Sequence, residues 1–230
     1  GAEAVSYAGW VVLLKTVVDD ARVRWRDSVR ITLAGVAATR LLAAGGAGGI
    51  ALTVWALHRR GLPMVKAVRA ESSLLVTLCG VMLGAMVVVG LALDGGLLSG
   101  ASPKALTLVP AVLALWVMAV VVVLALTTHR PDRPPERGAA RWRWAVAAGP
   151  RWLGEGLRHT ARLARRRRFG LAGGLVWWVG DAIVLWCAYR AFGSVPAGGV
   201  LVMAYLLGQL GNLLPVPGGI GGIDGATIAA

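Results

Sequence analysis

Five polar side chains lie inside otherwise apolar runs of the sequence, and their chemistry suits recognition of an anionic headgroup. They are Arg40, Asp181, Gln209, Asn212 and Asp224. A charge at the centre of a bilayer costs at least about 2.5–3.5 kcal/mol, so each ionisable member needs a partner or water. We expect the Arg40 guanidinium to bind phosphate in a bidentate manner, with a structural ion pair as the alternative. These five residues form the candidate substrate-binding site.

The other four members of this set also have structural alternatives. Asp181 is the natural counter-charge for Arg40, either as a structural partner or as part of a proton or ion path. Gln209 and Asn212 are three residues apart and share one helix face, where they bridge helices or point towards the same bend. Asp224 follows a glycine string, where the helix dipole favours a carboxylate at the start of a half-helix. Ion coupling is the functional alternative for Asp224.

Two apolar runs, Ile31–Leu57 and Val200–Ala230, contain residues that oppose one continuous helix. Glycine costs about 1 kcal/mol relative to alanine inside a helix, and proline costs about 3 kcal/mol. Broken backbone at membrane depth is tolerated only where it is buried in protein or lines a watery cavity. We therefore predict two broken, re-entrant helical hairpins, whose glycines allow close helix packing or present amides to an anion. The bend residues are Gly45, Gly46, Gly48, Gly49, Pro215, Pro217, Gly218, Gly219, Gly221 and Gly222.

The elements that must position these residues are membrane-spanning helices. Of the 230 residues, 57% are apolar and 15% are charged, and the mean hydropathy is +0.69. This composition leaves too little polar surface to coat a water-soluble fold. Hydropathy predicts spans at Ser72–Leu93, Ala105–Leu126 and Leu171–Phe192, with a shorter apolar helix over Val5–Val18. The predicted fold class is all-α, a polytopic transmembrane helix bundle.

The distribution of basic residues predicts the orientation of the chain. The net charge is +13, and residues 127–168 hold twelve arginines against three acidic residues. The positive-inside rule places this basic loop in the cytoplasm, with 58–71 on the same side and 94–103 outside. Residues 19–30 also face the cytoplasm if the first broken run is re-entrant. Within the loop, 151–168 is predicted to be an interfacial helix with its apolar face on lipid and its arginines in water.

An internal repeat relates the two bends. Residues 40–50 align with 212–223 at an offset of 172 and then 173 residues. Three predicted spans separate the two copies, so the second bend enters from the opposite face, as in inverted-repeat transporters. We predict a single transmembrane domain with a first repeat over about 1–93 and a second over about 105–230. The chain starts and stops within patterned segments, so we expect a fragment with further helices beyond residue 230.

The second bend carries a family signature. The run from Leu213 to Asp224 (LLPVPGGIGGID) resembles the Leu-Pro-x-Pro-Gly-Gly-x-Gly-x-x-acid motif of the lysylphosphatidylglycerol synthase transmembrane (flippase-like) family. That family more often has Glu where this chain has Asp224, and its first motif usually has a proline and an acidic residue, which are missing around Arg40. The resemblance implies a multi-pass protein of the bacterial cytoplasmic membrane that translocates or otherwise handles lipid. The family's soluble aminoacyltransferase domain is absent from this sequence.

Three functions remain open at this point. The first is flipping of a phospholipid or lipid-linked anionic substrate, which the repeat and the polar bends favour. The second is a non-transporting scaffold that partners a cell-envelope lipid or glycan synthesis enzyme. The third, a membrane-embedded lipid-phosphate enzyme, needs clustered carboxylates or a histidine base, and only Asp181 and Asp224 fall in the membrane zone. We therefore expect no enzymatic activity and no catalytic residue.

Partners and cofactors follow from the same composition. We expect membrane lipids with anionic headgroups as partners and no nucleic acid, because the basic residues alternate with long apolar runs. Neither glycine string has the spacing of a dinucleotide-binding loop, and no Gly-Lys-Ser or Gly-Lys-Thr follows, so we expect no nucleotide cofactor. The three histidines lack the spacing of metal ligands, so no metal is expected.

Overall fold

The structure is a computed structural model that describes residues 1–41, 46–98, 103–128, 140–166, 168–193 and 196–211. Within these ranges the side chains at 40, 140–147 and 211 are not described. Over this part of the chain the fold is all-α, as predicted. Its helices are α1 (Ala2–Val18), α2 (Trp25–Leu41), α3 (Ala47–Arg59), α4 (Met64–Asp94), α5 (Lys104–Thr127), α6 (Ala140–Arg165), α7 (Gly173–Ala191) and α8 (Gly198–Gly211). A 3-10 turn, Phe169–Ala172, leads into α7.

Three helical segments are long and apolar enough to cross a membrane. They are α4, α5 and the segment Phe169–Ala191 that ends with α7. These segments confirm the three spans predicted from hydropathy. The structure extends α4 beyond the predicted apolar run by two turns at its N-terminus, starting directly after Pro63. The shorter predicted helix near the N-terminus is present as α1.

The first broken run is two helices, as the glycines predict. α2 ends at Leu41 and α3 begins at Ala47, preceded by Gly46 at φ 85°. Beyond this break α2 and α3 pack closely, since a Cβ at Gly49 would lie 2.7 Å from the carbonyl oxygen of Gly35. Two small residues, Gly49 and Gly35, therefore bring the helices together along the hairpin. In the second broken run, α8 is described as far as Gly211, and residues 212–230 lie outside the described residues.

Both ends of the α2–α3 hairpin lie at the same end of the molecule. The Asp27 carboxylate near the start of α2 forms an ion pair of 2.8 Å with Arg60, directly after α3. Arg22 donates a hydrogen bond of 2.9 Å to the carbonyl oxygen of Gly61. Asp27 also accepts a hydrogen bond from the backbone N–H of Arg24, which satisfies one of the free donors at the N-terminus of α2.

Helix α6 meets this same end of the bundle. His159 is hydrogen bonded at 3.1 Å to the carbonyl oxygen of Val17, at the end of α1. Arg168, just before the 3-10 turn, forms an ion pair of 3.2 Å with Asp19. We call this end the basic face. It comprises residues 15–27, 58–71, 155–166 and 168.

The start of α8 lies at the opposite end. A Cβ at Gly199 would lie 2.9 Å from the Leu93 side chain at the end of α4, and 3.1 Å from Leu98. Because α4 begins at the basic face and ends here, α2 and α8 begin at opposite ends of the molecule.

Helices α1 and α7 pack antiparallel through small residues. Ser6 donates a hydrogen bond of 2.8 Å to the carbonyl oxygen of Trp177, whereas Gly9 approaches Val176 and Gly173. A Cβ at Gly9 would lie 2.7 Å from the carbonyl oxygen of Gly173, so the backbones touch directly. Hydrocarbon provides no hydrophobic drive for helix association, so such close backbone approach is the expected means of pairing helices in a membrane.

Helix α6 corrects the interfacial-helix prediction. The predicted polar face does not point into water, because Glu155 is buried and α6 packs against α4 and α5. Glycines make this approach possible: a Cβ at Gly156 would lie 2.7 Å from the carbonyl oxygen of Ser72, and one at Gly154 would lie 2.9 Å from that of Leu124. The apolar stripe predicted to rest on lipid is half-buried or exposed. It consists of Trp152, Leu153, Leu157, Ala161 and Ala164.

Candidate functional site

The described part of the predicted binding set centres on Asp181, in the middle of α7. Its carboxylate accepts a hydrogen bond of 2.6 Å from the hydroxyl group of Tyr205, on α8. Tyr205 is 8% exposed and contacts the Trp178 ring edge-on, with the ring centroids 6.2 Å apart. Trp178 in turn donates a hydrogen bond of 2.8 Å to the carbonyl oxygen of Leu78. These contacts hold a polar pair in place between α4, α7 and α8.

Gln209 extends this polar pair towards the second bend. It lies four residues after Tyr205 and is half-buried, so the two side chains share one face of α8. Asn212 and Asp224 lie outside the described residues. Arg40 is in the last turn of α2, and its side chain is not described. The structure therefore brings Asp181 to Tyr205 and places Gln209 one turn further along the chain.

The first set of bend glycines has two different roles. Gly46 adopts a left-handed conformation with open space around its Cβ position, so it makes the turn into α3. Gly49 instead lies inside α3 against Gly35 and Thr39 of α2. Of the two readings of these glycines, close packing therefore accounts for Gly49. Gly48 is half-buried within α3, and the remaining predicted bend residues lie outside the described residues.

Tyr205 is the site residue that sequence reasoning missed. A tyrosine in an apolar run is usually a packing residue, because most of its surface is apolar. The available signal was its spacing, since Tyr205 precedes Gln209 by one helical turn and shares its face. A buried tyrosine hydroxyl needs a hydrogen-bond partner, and in the described structure that partner is Asp181.

An apolar groove runs beside the Asp181–Tyr205 pair. It has a volume of about 300 Å³ and lies between α4, α7 and α8, with Trp178, Trp186 and Leu206 among its walls. No charged residue lines it within the described part of the chain. Hydrocarbon is the ligand chemistry that such a surface accommodates in a bilayer. The polar pair and the groove together place a hydrogen-bonding site next to space for an acyl chain.

A second cluster lies on the basic face and was also missed. The Glu155 side chain, 3% exposed, forms ion pairs with three arginines: Arg69 at 3.1 Å, Arg158 at 3.3 Å and Arg162 at 3.2 Å. Arg158 also donates hydrogen bonds to the carbonyl oxygens of Ala125 and Thr128, at the end of α5. One carboxylate thus joins α4 to α6, and one arginine joins α6 to α5.

Two ionisable groups on the basic face have shifted pKa values. Burial lowers the pKa of His159, assisted by the nearby positive charges of Arg162 and Arg69. The backbone N–H of Arg22 donates a hydrogen bond to the Asp20 carboxylate and lowers the pKa of that group. Both shifts favour the states expected at neutral pH, with His159 neutral and Asp20 charged.

Comparison with known proteins places these features in a family. No curated protein and no solved structure matches the chain. The family model described as "Lysylphosphatidylglycerol synthase TM region" matches residues 4–230, nearly the whole sequence. It spans the basic face, both grooves' helices and the motif at the second bend. The chain is a multi-pass membrane protein that belongs to the lysylphosphatidylglycerol synthase transmembrane region family.

Proposed function

We propose that this protein translocates a phospholipid or a lipid-linked anionic substrate across the membrane and performs no chemical step of its own. The observation that carries the proposal is that α2 begins at the basic face whereas α8 begins at the opposite end of α4. Two polar segments that enter from opposite faces are what a carrier needs to expose one site alternately to each side.

The helix boundaries support an inverted repeat behind this arrangement. α1 begins at Ala2 and α7 at Gly173, an offset of 171 residues, and α2 begins at Trp25 and α8 at Gly198, an offset of 173 residues. These offsets bracket the value of 172 obtained from the two glycine motifs. The antiparallel contact of α1 with α7 is also what an inverted repeat requires of its equivalent helices.

The dimensions of the α2–α3 hairpin support re-entrance. With 17 residues in α2 and 13 in α3, the two helices measure roughly 26 and 20 Å, less than the roughly 30 Å of hydrocarbon. Both outer ends lie on the basic face, so the bend near residues 42–46 reaches into the membrane and returns. Arg40 lies 15 residues after Trp25 and hence roughly 22 Å along α2.

In this proposal the headgroup and the acyl chains take different routes. Arg40 binds the phosphate at the inner end of the hairpin, and Gln209, Asn212 and Asp224 provide polar contacts on the opposing bend. Asp181 and Tyr205 supply the polar wall that continues from Gln209 into α7. The acyl chains stay in hydrocarbon, beside the apolar groove of α4, α7 and α8.

We also propose the bacterial cytoplasmic membrane as the location, with the basic face towards the cytoplasm. Thiol labelling in whole cells tests the orientation. In a background with Cys79 and Cys187 replaced by alanine, an Arg166→Cys protein should resist a membrane-impermeant maleimide, whereas a Leu97→Cys protein should react. Labelling at Arg166→Cys alone would reverse the orientation and remove the basis for cytoplasmic arginines.

A reconstituted transport assay tests the function. Fluorescent phosphatidylglycerol in vesicles containing the protein should become accessible to an external quencher faster than in protein-free vesicles. Arg40→Gln should slow this exchange about tenfold or more, while Arg26→Gln, at the start of the same helix, should leave it unchanged. Equal rates with and without the wild-type protein would refute translocation and favour the scaffold function. An unchanged rate in Arg40→Gln would remove the arginine from the site.

A further inference from the structure

The outer surface of the α2–α3 hairpin contains a second groove, unlike the one beside Asp181. It has a volume of about 470 Å³, within the usual range for small-molecule sites. Its deep part is apolar, with Ile31 and Ala34 from α2 and Leu52 from α3. Its rim at the basic face has three arginines, Arg30, Arg59 and Arg60, that do not take part in the transport proposal.

The depth of each residue follows from the direction of the helices. α3 runs from the bend towards the basic face, so Leu52 lies about 10 Å deeper than Arg59 along the helix. In α2, which runs in the opposite direction, Ala34 is about one turn deeper than Arg30. The groove therefore changes from cationic to apolar along the membrane normal, over a distance comparable with the region from headgroup to upper acyl chain.

The charge at the rim is not neutralised locally. Arg60 pairs with Asp27 at 2.8 Å, which accounts for one positive charge. The Arg59 guanidinium lies over the Trp55 ring at 5.2 Å and so has a cation–π contact but no anion. No described acidic group pairs with Arg30. Two positive charges therefore remain at the mouth of an apolar groove.

We propose that this groove holds a resident acidic phospholipid, with its phosphodiester on Arg30 and Arg59 and an acyl chain along Ile31, Ala34 and Leu52. Guanidinium groups bind phosphate oxygens through paired hydrogen bonds, and an indole ring at headgroup depth suits the glycerol region. A net-negative headgroup is favoured over a zwitterionic one because the latter brings its own cation to an already positive rim. This site is independent of translocation and does not need it to be correct.

Lipid binding to the purified full chain tests the proposal. We would titrate dioleoyl phosphatidylglycerol or dioleoyl phosphatidylcholine into the protein in a neutral detergent and measure bound lipid by native mass spectrometry. The wild type should retain one phosphatidylglycerol with clear preference over phosphatidylcholine. Arg30→Gln with Arg59→Gln should weaken this binding roughly ten- to thirty-fold, since each basic residue near the membrane surface contributes about a factor of five.

A matched control separates the site from general surface charge. Arg26→Gln with Arg190→Gln removes the same number of charges, and Arg190 lies over the Trp186 ring at 5.3 Å just as Arg59 lies over Trp55. This control should bind phosphatidylglycerol like the wild type. An equal loss in the control would mean that net charge alone governs binding, and the proposal would be wrong.

The apolar part of the groove needs a test of its own. Ala34→Phe keeps all three arginines and fills the stem from an exposed helix position, so it should fold and also lose phosphatidylglycerol. Unchanged binding in Ala34→Phe, or full competition by glycerol phosphate, would show that only a headgroup is recognised and would overturn the lipid site. A dimer that disappears in Ala34→Phe, with no bound lipid in the wild type, would assign the groove to a second copy of the chain instead.

Discussion

The two grooves differ in charge although they are built from similar parts. Each lies beside a helix of a broken segment, and each has a tryptophan with an arginine one turn later, Trp55 with Arg59 and Trp186 with Arg190. The α2–α3 groove ends in three arginines at the basic face. The groove of α4, α7 and α8 has no charged lining within the described residues, and its polar neighbour is the Asp181–Tyr205 pair.

This difference shows that depth, more than helix arrangement, sets the chemistry of a membrane site. A hydrocarbon-lined groove that reaches the headgroup level can hold a whole amphiphile, whereas one that stays at depth can hold only an acyl chain. A polar group at depth then has to be paired within the protein, as Asp181 is with Tyr205. The comparison makes separate, testable demands on the helix contact that joins the two regions and on each region itself.

The largest effect is expected at the helix contact that both regions share. Gly173→Ala places a Cβ against the carbonyl oxygen of Gly9, in a contact that backbone atoms cannot relieve without moving α1 away from α7. We expect a loss of about 3 kcal/mol of stability, typical of overpacking or somewhat above it. Thermal unfolding in detergent measures this loss. Gly84→Ala, on α4 with open space around its Cβ position, is the control and should be neutral or slightly stabilising. Similar behaviour of the two variants would break the comparison, because the regions would then not depend on a common contact.

The next effect concerns the electrostatics of the basic face. Glu155→Gln leaves three guanidinium groups around a neutral amide, and we expect a loss of roughly 2 kcal/mol, below the range for a fully buried pair because the arginines are partly hydrated. The exposed pair of Asp19 with Arg168 supplies the control, since Asp19→Asn should cost well under about 1 kcal/mol. The midpoint of thermal unfolding at low ionic strength distinguishes them. Equal costs would mean that burial of Glu155 does not strengthen its role.

The polar pair beside the deeper groove should contribute less. Tyr205→Phe removes one hydrogen bond to a half-buried carboxylate, for an expected loss of about 1 kcal/mol. Tyr189→Phe, on α7, is the matched control and should be neutral. A double-mutant cycle with Asp181→Asn should give a coupling of similar size, also about 1 kcal/mol. Additive losses in that cycle would show that Asp181 and Tyr205 do not act as a pair.

These particulars show what the sequence could predict. Hydropathy located α4, α5 and α7, because burial in lipid depends on composition over some twenty residues. It also predicted the break between α2 and α3, since glycine acts on the local backbone. It did not predict that α6 would dock by its polar side, because that depends on Gly154 and Gly156 meeting α5 and α4, residues far away in sequence.

The candidate site was predictable to a similar degree. Asp181 and Gln209 stand out as polar groups in apolar runs, and the structure pairs the first with Tyr205 and places the second one turn beyond it. Tyr205 and Glu155 escaped notice because their importance comes from partners on other helices. A charge count over residues 127–168 treats Glu155 as one acid among twelve arginines, and gives no sign that three guanidinium groups converge on it.

The smallest expected effect is a difference in pH response between the two regions. Burial, with the charges of Arg162 and Arg69, holds the pKa of His159 below the ordinary histidine value of 6.5, against the weaker opposing influence of Glu155 and the Val17 carbonyl. As the pH falls below about 6.5 the unfolded chain takes up a proton on this residue before the folded one does. The stability of the basic face should therefore be complete above that pH and decline below it, until the pH reaches the lowered pKa of the folded state. Unfolding midpoints between pH 5 and pH 7.5 measure the decline, and His159→Gln should make it shallower. Leu157→Ala, on the same helix, should lower the midpoint while keeping the wild-type slope; an unchanged slope in His159→Gln would mean that another group carries the pH dependence of this face.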